Sequence, residues 1–300
     1  ASCAARVSRP ADDLYHPETD HPYGLSSFPS LRTFYETEKG FYFWVPTCMF
    51  FVDRDTMQPV PLCTKPNCLH YREDTRERYE ECEAFFTPTT NQLLFSGYGD
   101  SLYTIASSMI VGDALKIQRV SQDGSRRQTL KVLSGRGSVQ KMLMHRGVMY
   151  LAMTHYTEDR RSHTGLWAYE PETGKGPSCI LEYETYGKAI LDNLTAYGTR
   201  LYFGRNTSAA GAASGDREFC IYDIPTGELT LLKPQDGLYP ARATFSGKDM
   251  LLVYQAGNMD DGTYRERLYR CALDGSDRRL IGEDIGYYTA DERYIYRNGN

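Results

Sequence analysis

Three thiols and one imidazole fall close together in this sequence: Cys63, Cys68, His70 and Cys82, in the pattern C-x4-C-x-H-x11-C. That is the ligand set of a closed structural zinc site, in which Zn–S bonds of about 2.3 Å and Zn–N bonds of about 2.0 Å complete a tetrahedron. Pro66 and Asn67 lie between the first two cysteines and would turn the chain so that both face one point. The spacing is not that of a standard zinc finger. A disulfide from Cys63 or Cys68 to Cys82 is the competing chemistry, natural in an exported protein, and a loop of unlinked thiols is the third. Either cross-link staples a loop. Four protein ligands leave no open position for a substrate, so the cluster does not imply catalysis.

The other cysteines divide into two kinds. Cys48, Cys179, Cys220 and Cys271 sit in or beside apolar runs and are expected to be buried thiols acting as small hydrophobes. Cys3 differs. Ala1-Ser2-Cys3 has the small-small-Cys form with which a bacterial lipoprotein signal ends, and about 25 polar, Pro-containing residues follow it. Residues 1–28 are therefore expected to be a linker carrying a lipid on Cys3, with the chain beginning inside the signal; a chance tripeptide is the alternative.

Signatures of catalysis are missing. Ser121-Gln122-Asp123-Gly124 has its Gly one place early for a sialidase-type Asp box and no Trp follows. Gly-x-Ser-x-Gly, His-Glu-x-x-His, a Walker loop and a dinucleotide fingerprint do not occur. His145, His155 and His163 match no ligand spacing and read as loop or strand-end residues. Asp260-Asp261-Gly262 reads as a hairpin tip, and Ser208 to Gly215 as a flexible loop of small residues. The formal net charge of −5 removes the electrostatic drive for nucleic-acid binding, and Arg126–Arg127 reads as a solvated turn. No apolar run approaches the roughly 18 residues of a membrane span.

The elements that must position these residues are strands. Tyrosine stands out at 24 residues, beside 12 Phe, and both favour pleated, half-buried surfaces. Turn segments recur at Asp53-Arg54-Asp55-Thr56, Gln122-Asp123-Gly124-Ser125, Pro171-Glu172-Thr173-Gly174, Pro225-Thr226-Gly227-Glu228 and Leu273-Asp274-Gly275-Ser276, the last four about fifty residues apart. Asp-Gly and Thr-Gly supply the positive φ of tight hairpins. Ahead of each lies a second marker, a polar turn and then an aromatic-rich strand, as in Gly99-Asp100-Ser101-Leu102-Tyr103 and Gly198-Thr199-Arg200-Leu201-Tyr202. One more strand precedes that marker, so the unit has four strands, and four-strand meanders at this period are β-propeller blades. A β-sandwich would not repeat its turn chemistry at that interval. The expected fold is all-β: a propeller over residues 29–300 with five blades and the start of a sixth, six to eight in a complete ring. The Cys/His segment, 62–86, is an insertion after blade 1. Helical periodicity is weak, and residues 71–83 are the only helix-compatible stretch.

The segment Pro61-Leu62-Cys63-Thr64-Lys65-Pro66-Asn67-Cys68-Leu69-His70, ending in Cys82-Glu83-Ala84, resembles a signature in surface lipoproteins of clostridia-like bacteria. Leu268-Tyr269-Arg270-Cys271-Ala272-Leu273-Asp274-Gly275-Ser276 resembles the blade motif of TolB-like and low-density-lipoprotein-receptor-like propeller repeats. The resemblance implies a lipid-anchored propeller on the extracellular side of the bacterial membrane, with no settled activity. The functional expectation is a binding module for a protein, peptide or glycan, its Tyr-rich loops making the contacts. The alternative is a carbohydrate-active hydrolase or lyase with paired carboxylates over the channel.

Overall fold

The computed structural model of the chain describes residues 10–21, 34–45, 47–70, 75–87, 93–106, 114–133, 136–156, 162–185, 190–207, 216–257, 262–286, 288–290 and 293–297. Cys3, the 208–215 loop and Asp260–Asp261 lie outside the described residues. The chain folds as five four-stranded antiparallel meanders. Blade 1 is β1 (Phe34–Glu36), β2 (Gly40–Val45), β3 (Cys48–Asp53) and β4 (Pro59–Pro61). Blade 2 is β5 (Leu94–Tyr98), β6 (Ser101–Ala106), β7 (Leu115–Ser121) and β8 (Arg127–Leu133). Blade 3 is β9 (Arg136–His145), β10 (Val148–Tyr156), β11 (Ser162–Glu170) and β12 (Lys175–Thr185). Blade 4 is β13 (Ile190–Tyr197), β14 (Arg200–Thr207), β15 (Asp216–Asp223) and β16 (Leu229–Leu232). Blade 5 is β17 (Tyr239–Ser246), β18 (Asp249–Ala256), β19 (Arg265–Cys271) and β20 (Arg279–Glu283). Where a sixth blade was expected to begin, β21 (Tyr288–Ala290) and β22 (Ile295–Arg297) form a two-stranded sheet.

The first strands of successive blades lie side by side, from β1 through β5, β9, β13 and β17 to β21. They line the centre, and the fourth strands form the rim, where β8 and β20 are mostly exposed. An antiparallel meander fixes two faces. The turns between first and second strands and between third and fourth strands share one face, called here the hairpin face. The connections between second and third strands, and those between blades, share the other, the loop face.

Each blade buries its surface against the next, so the core is a series of layers. Leu102, Val120 and Met49 fill the interface of blades 1 and 2, Leu151, Ile117 and Tyr169 that of blades 2 and 3. Phe203, Leu201 and Leu166 fill the third, Phe245, Tyr202 and Leu252 the fourth. Tyrosine serves this layering. Tyr42 of β2 donates to the Gln122 carbonyl (2.9 Å), Tyr103 of β6 to Glu172 (3.2 Å) and Tyr202 of β14 to the Leu273 carbonyl (3.0 Å). In each case a second-strand ring is buried and its hydroxyl reaches the outer hairpin of the following blade. The described tyrosines are largely core residues, which corrects the expectation that they would furnish contact loops. The ring needs burial and the hydroxyl needs a partner, and a blade interface ending at a hairpin supplies both.

Residues 10–21, within the stretch expected to be a linker, pack on the hairpin face of blades 3 and 4. Arg146 is the centre of this contact. Its Nε and Nη2 donate to both oxygens of Asp20 (2.8 and 3.1 Å), its Nη1 to the carbonyls of Pro10 and Asp12 (2.8 Å each), and its Nη2 also to that of Leu14 (2.8 Å). All five guanidinium N–H groups are thereby used. His145 accepts the His21 N–H at Nδ1 (2.9 Å), so its Nε2 donates to the Gly198 carbonyl (2.8 Å). Tyr15 stacks on Tyr197.

Candidate metal centre and channel cavity

The Cys/His insert is pinned at both ends to the same residue of β3. Leu62 N–H donates to the Met49 carbonyl (2.9 Å), and Met49 N–H donates to the Ala84 carbonyl (2.8 Å). Cys63 and Cys82 are the next residues inward from these anchors or one beyond, so blade pairing itself brings them together. Thr64 donates twice to Glu83 through its N–H and hydroxyl (2.8 and 2.9 Å), and Lys65 donates to the Glu81 carbonyl. The Pro66-Asn67 turn closes with Asn67 in the left-handed region at φ 59°, and His70 is also left-handed at φ 56°; both residue types tolerate that region better than most. The one helix among the described residues, α1 (Arg76–Glu80), then delivers Cys82; Thr75 Oγ1 caps it by accepting the Arg78 N–H (3.4 Å).

These constraints bring the four ligand atoms of Cys63, Cys68, His70 and Cys82 within 4.8 Å of one another. His70 Nδ1 and Cys82 Sγ are 3.6 Å apart. Two such ligands on one tetrahedral zinc would be separated by about 3.5 Å, and two thiolates by about 3.8 Å. The cluster could hold a metal ion. Cys82 is buried, while Cys63, Cys68 and His70 are partly exposed. Burial, followed by the neighbouring thiols, pushes the Cys82 thiol up; Cys48 beside it rises to about 12 for the same reasons. Gathered thiols resist ionising together, and a cation among them reverses that penalty. All seven described cysteines are free.

Arg127 is exposed, as expected, but it also makes contacts that its sequence neighbourhood did not signal. Its guanidinium lies 3.9 Å from the Phe86 ring centroid and donates to the Glu83 carbonyl. It is a clamp from blade 2 onto the insert, and no sequence signal marks it, because Glu83 and Phe86 meet it only in three dimensions. Cys48, Cys220 and Cys271 are buried as expected, but Cys179 is exposed because β12 is a rim strand.

A second candidate region lies toward the loop face of blades 3, 4 and 5. A cavity of about 250 Å³ is lined by Lys141, Asp192, Arg205, Glu218, Arg242 and Gln255, with Asn193 and Gly204 beside them. All three first strands carry a bulge here. Gln140 is the extra residue in β9, the Asn193–Leu194 pair opposes one residue in β13, and Ala241 is extra in β17. The first strands of blades 1 and 2 keep register. Bulges re-aim side chains and are common next to sites. These are tied blade to blade: Leu191 N–H donates to Gln140 Oε1 (3.2 Å), and Asn193, at φ 51°, donates through Nδ2 to the Ala241 carbonyl (2.9 Å). Gly204 leaves room for a carboxylate, since a Cβ there would stand 2.0 Å from Asp192 Oδ1. Arg205 pairs with Glu218, and Arg242 with Glu266 at 2.7 Å. None of this region was singled out in the sequence, because single acids and bases on strands of three blades share no spacing.

No protein-family model matches the chain, and no curated protein matches it in sequence. Solved structures do. An oligogalacturonate lyase in complex with manganese overlays with a TM-score of 0.50 at 10% identity, covering 82% of this chain and 62% of the lyase. An acylaminoacyl peptidase overlays at 0.49 and 8% identity over 86% of this chain and 42% of the peptidase. TolB from Acinetobacter baumannii overlays at 0.40 and 14% identity over 79% of this chain and 49% of TolB. The chain thus spans less than two thirds of each. The likeness is one of fold: a β-propeller scaffold whose structural neighbours include binding proteins and enzymes.

Proposed function

We propose that this chain is a binding module that holds a polar group of a peptide or glycan in the cavity of blades 3–5, on a propeller displayed outside the bacterial membrane. The observation that carries this reading is the cavity itself. Three consecutive first strands break register at one level and bring Lys141, Arg205 and Arg242 together with Asp192 and Glu218. Mixed, largely paired charges on rigid strands suit orientation of a ligand. Lining by two carboxylates is what supports the second reading, a hydrolase or lyase; Glu218 is already committed to Arg205, which favours binding. The test is a glycan and peptide array probed with the purified chain. Retention of a ligand class supports the module, turnover of a retained ligand converts it to the enzyme, and an empty array sinks both.

Two further assignments belong to this reading. Zinc in the Cys63/Cys68/His70/Cys82 cluster would staple blade 1 to the insert and, through Arg127, to blade 2. A lipid on Cys3 would hold the module at the membrane surface; in the producing cell, Cys3→Ser should move the protein from the membrane fraction to the soluble one.

A further inference from the structure

The hydrogen-bonding and charge capacity left over in the cavity has one sign. Arg205 is answered by Glu218 and the Nη2 of Arg242 by Glu266. Asp192 is seated over Gly204 and engaged within the fold. Two donors remain. Lys141, on β9, has no ion pair among the described residues although it lines the cavity. Arg242 Nε is buried and has no hydrogen-bond partner. That atom is closed to the cavity, so Lys141 is left as the cation open to a ligand, and the lining carries three cations, Lys141, Arg205 and Arg242, against two carboxylates, Asp192 and Glu218. Glu266 also keeps one oxygen unpartnered, but it lines a separate cavity of about 70 Å³ beside this one.

From this surplus of one cation we infer that the cavity is a receptor for a small carboxylate, with Lys141 as the ion-pairing residue. This rests on the binding-module reading and names its ligand class. A carboxylate offers two acceptor oxygens and one negative charge, which matches one unpaired ammonium with its three N–H donors. Size sets the rest. At about 250 Å³ the cavity is below the roughly 300–1,000 Å³ of sites for drug-sized ligands, so it suits a single sugar or amino-acid unit. Asp192 and Gln255 stand where they could accept from or donate to the hydroxyl or amide groups of such a unit.

Calorimetric titration of the purified chain tests this. The probes are glucuronate against glucose, N-acetylglycine against N-acetylglycinamide, and inorganic phosphate. Binding of at least one carboxylate about tenfold more tightly than its neutral partner is expected, and which pair responds tells sugar from amino acid. Lys141→Met should lower that affinity about tenfold with an unchanged melting temperature, since Lys141 holds nothing in the fold, and Lys141→Arg should restore most of it. Equal binding of the neutral partners, phosphate binding as tightly as the carboxylates, or an affinity indifferent to Lys141→Met would each overturn the assignment. Array ligands retained equally by wild type and Lys141→Met would leave the binding module standing and remove this site from it.

Discussion

Two residues show how identity and surroundings combine. His70 contributes its nitrogen to the thiol cluster only because it adopts a left-handed backbone after the Pro66-Asn67 turn. The purified chain should carry about one zinc by elemental analysis, and Cys82→Ser or His70→Ala should bring it to background while Cys179→Ser leaves it intact. An intact Cys–Cys cross-link with no metal would instead select the disulfide. His145 is the opposite case, a histidine outside the ligand cluster whose two ring nitrogens both bond within the fold. Burial, then the nearby Arg146 charge, outweighs the Gly198 carbonyl and Asp20 and holds the imidazole down at about 4. Its Nδ1 is an acceptor for His21 N–H, so protonation would place two donors face to face. The unfolded chain takes up that proton near 6.5, well before the folded one. Stability should therefore be full above about 6.5 and decline as the pH falls toward about 4. A denaturation series across that range checks it; the neighbouring His21 imidazole, held down to about 4 by burial and then by His145, adds to the slope, so His145→Gln should reduce the slope and leave part of it.

At the level of elements, the N-terminal segment and the tyrosine hydroxyls hold units together that strand pairing alone would leave separate. Arg146 occupies a two-residue hairpin with Gly147, both at positive φ, a conformation that a glycine or asparagine adopts more readily than arginine. Its use there follows from the segment it binds. Asp20→Ala would leave the buried guanidinium with only the exposed Asp12 carboxylate, 4.0 Å away, so a loss of about 3 kcal/mol is expected, together with earlier proteolytic cleavage within residues 10–21. Tyr202→Phe removes one donor and leaves the Leu273 carbonyl without it; a loss of about 1 kcal/mol by chemical denaturation is expected. The same substitution at an exposed tyrosine such as Tyr294 serves as the control.

For the whole molecule, the layered core means that each blade depends chiefly on its neighbours. Among the described residues, the Cys/His cluster packs at the interface of blades 1 and 2, through Leu62, Ala84, Phe86 and the Arg127 clamp, so zinc proposed there would act on that interface. Chelation should therefore raise hydrogen exchange in β3, β7 and β8 first, with β14 and β18 protected much as before. Uniform loosening of all five blades would show instead that the cluster governs global stability. On the other side of the molecule the cavity is shared by three blades, so its geometry depends on ring assembly and on no single sheet.

Strand number, turn positions and the four-strand period were written in the sequence, because hairpin chemistry is local: Asp-Gly and Thr-Gly at fixed intervals dictate positive φ wherever they occur. The insert was legible for the same reason, its four ligands being close in the chain. Even so, it was the double pinning of residues 62 and 84 to Met49 that closed the cluster. What lay beyond reach was everything made by juxtaposing blades. The bulges of β9, β13 and β17, the meeting of Lys141 with Arg242, the clamp of Arg127 on Phe86 and the grip of Arg146 on residues 10–20 all join positions far apart in the chain. No local spacing encodes such pairs, since it is the stacking of one twisted sheet on the next that sets which side chains face each other.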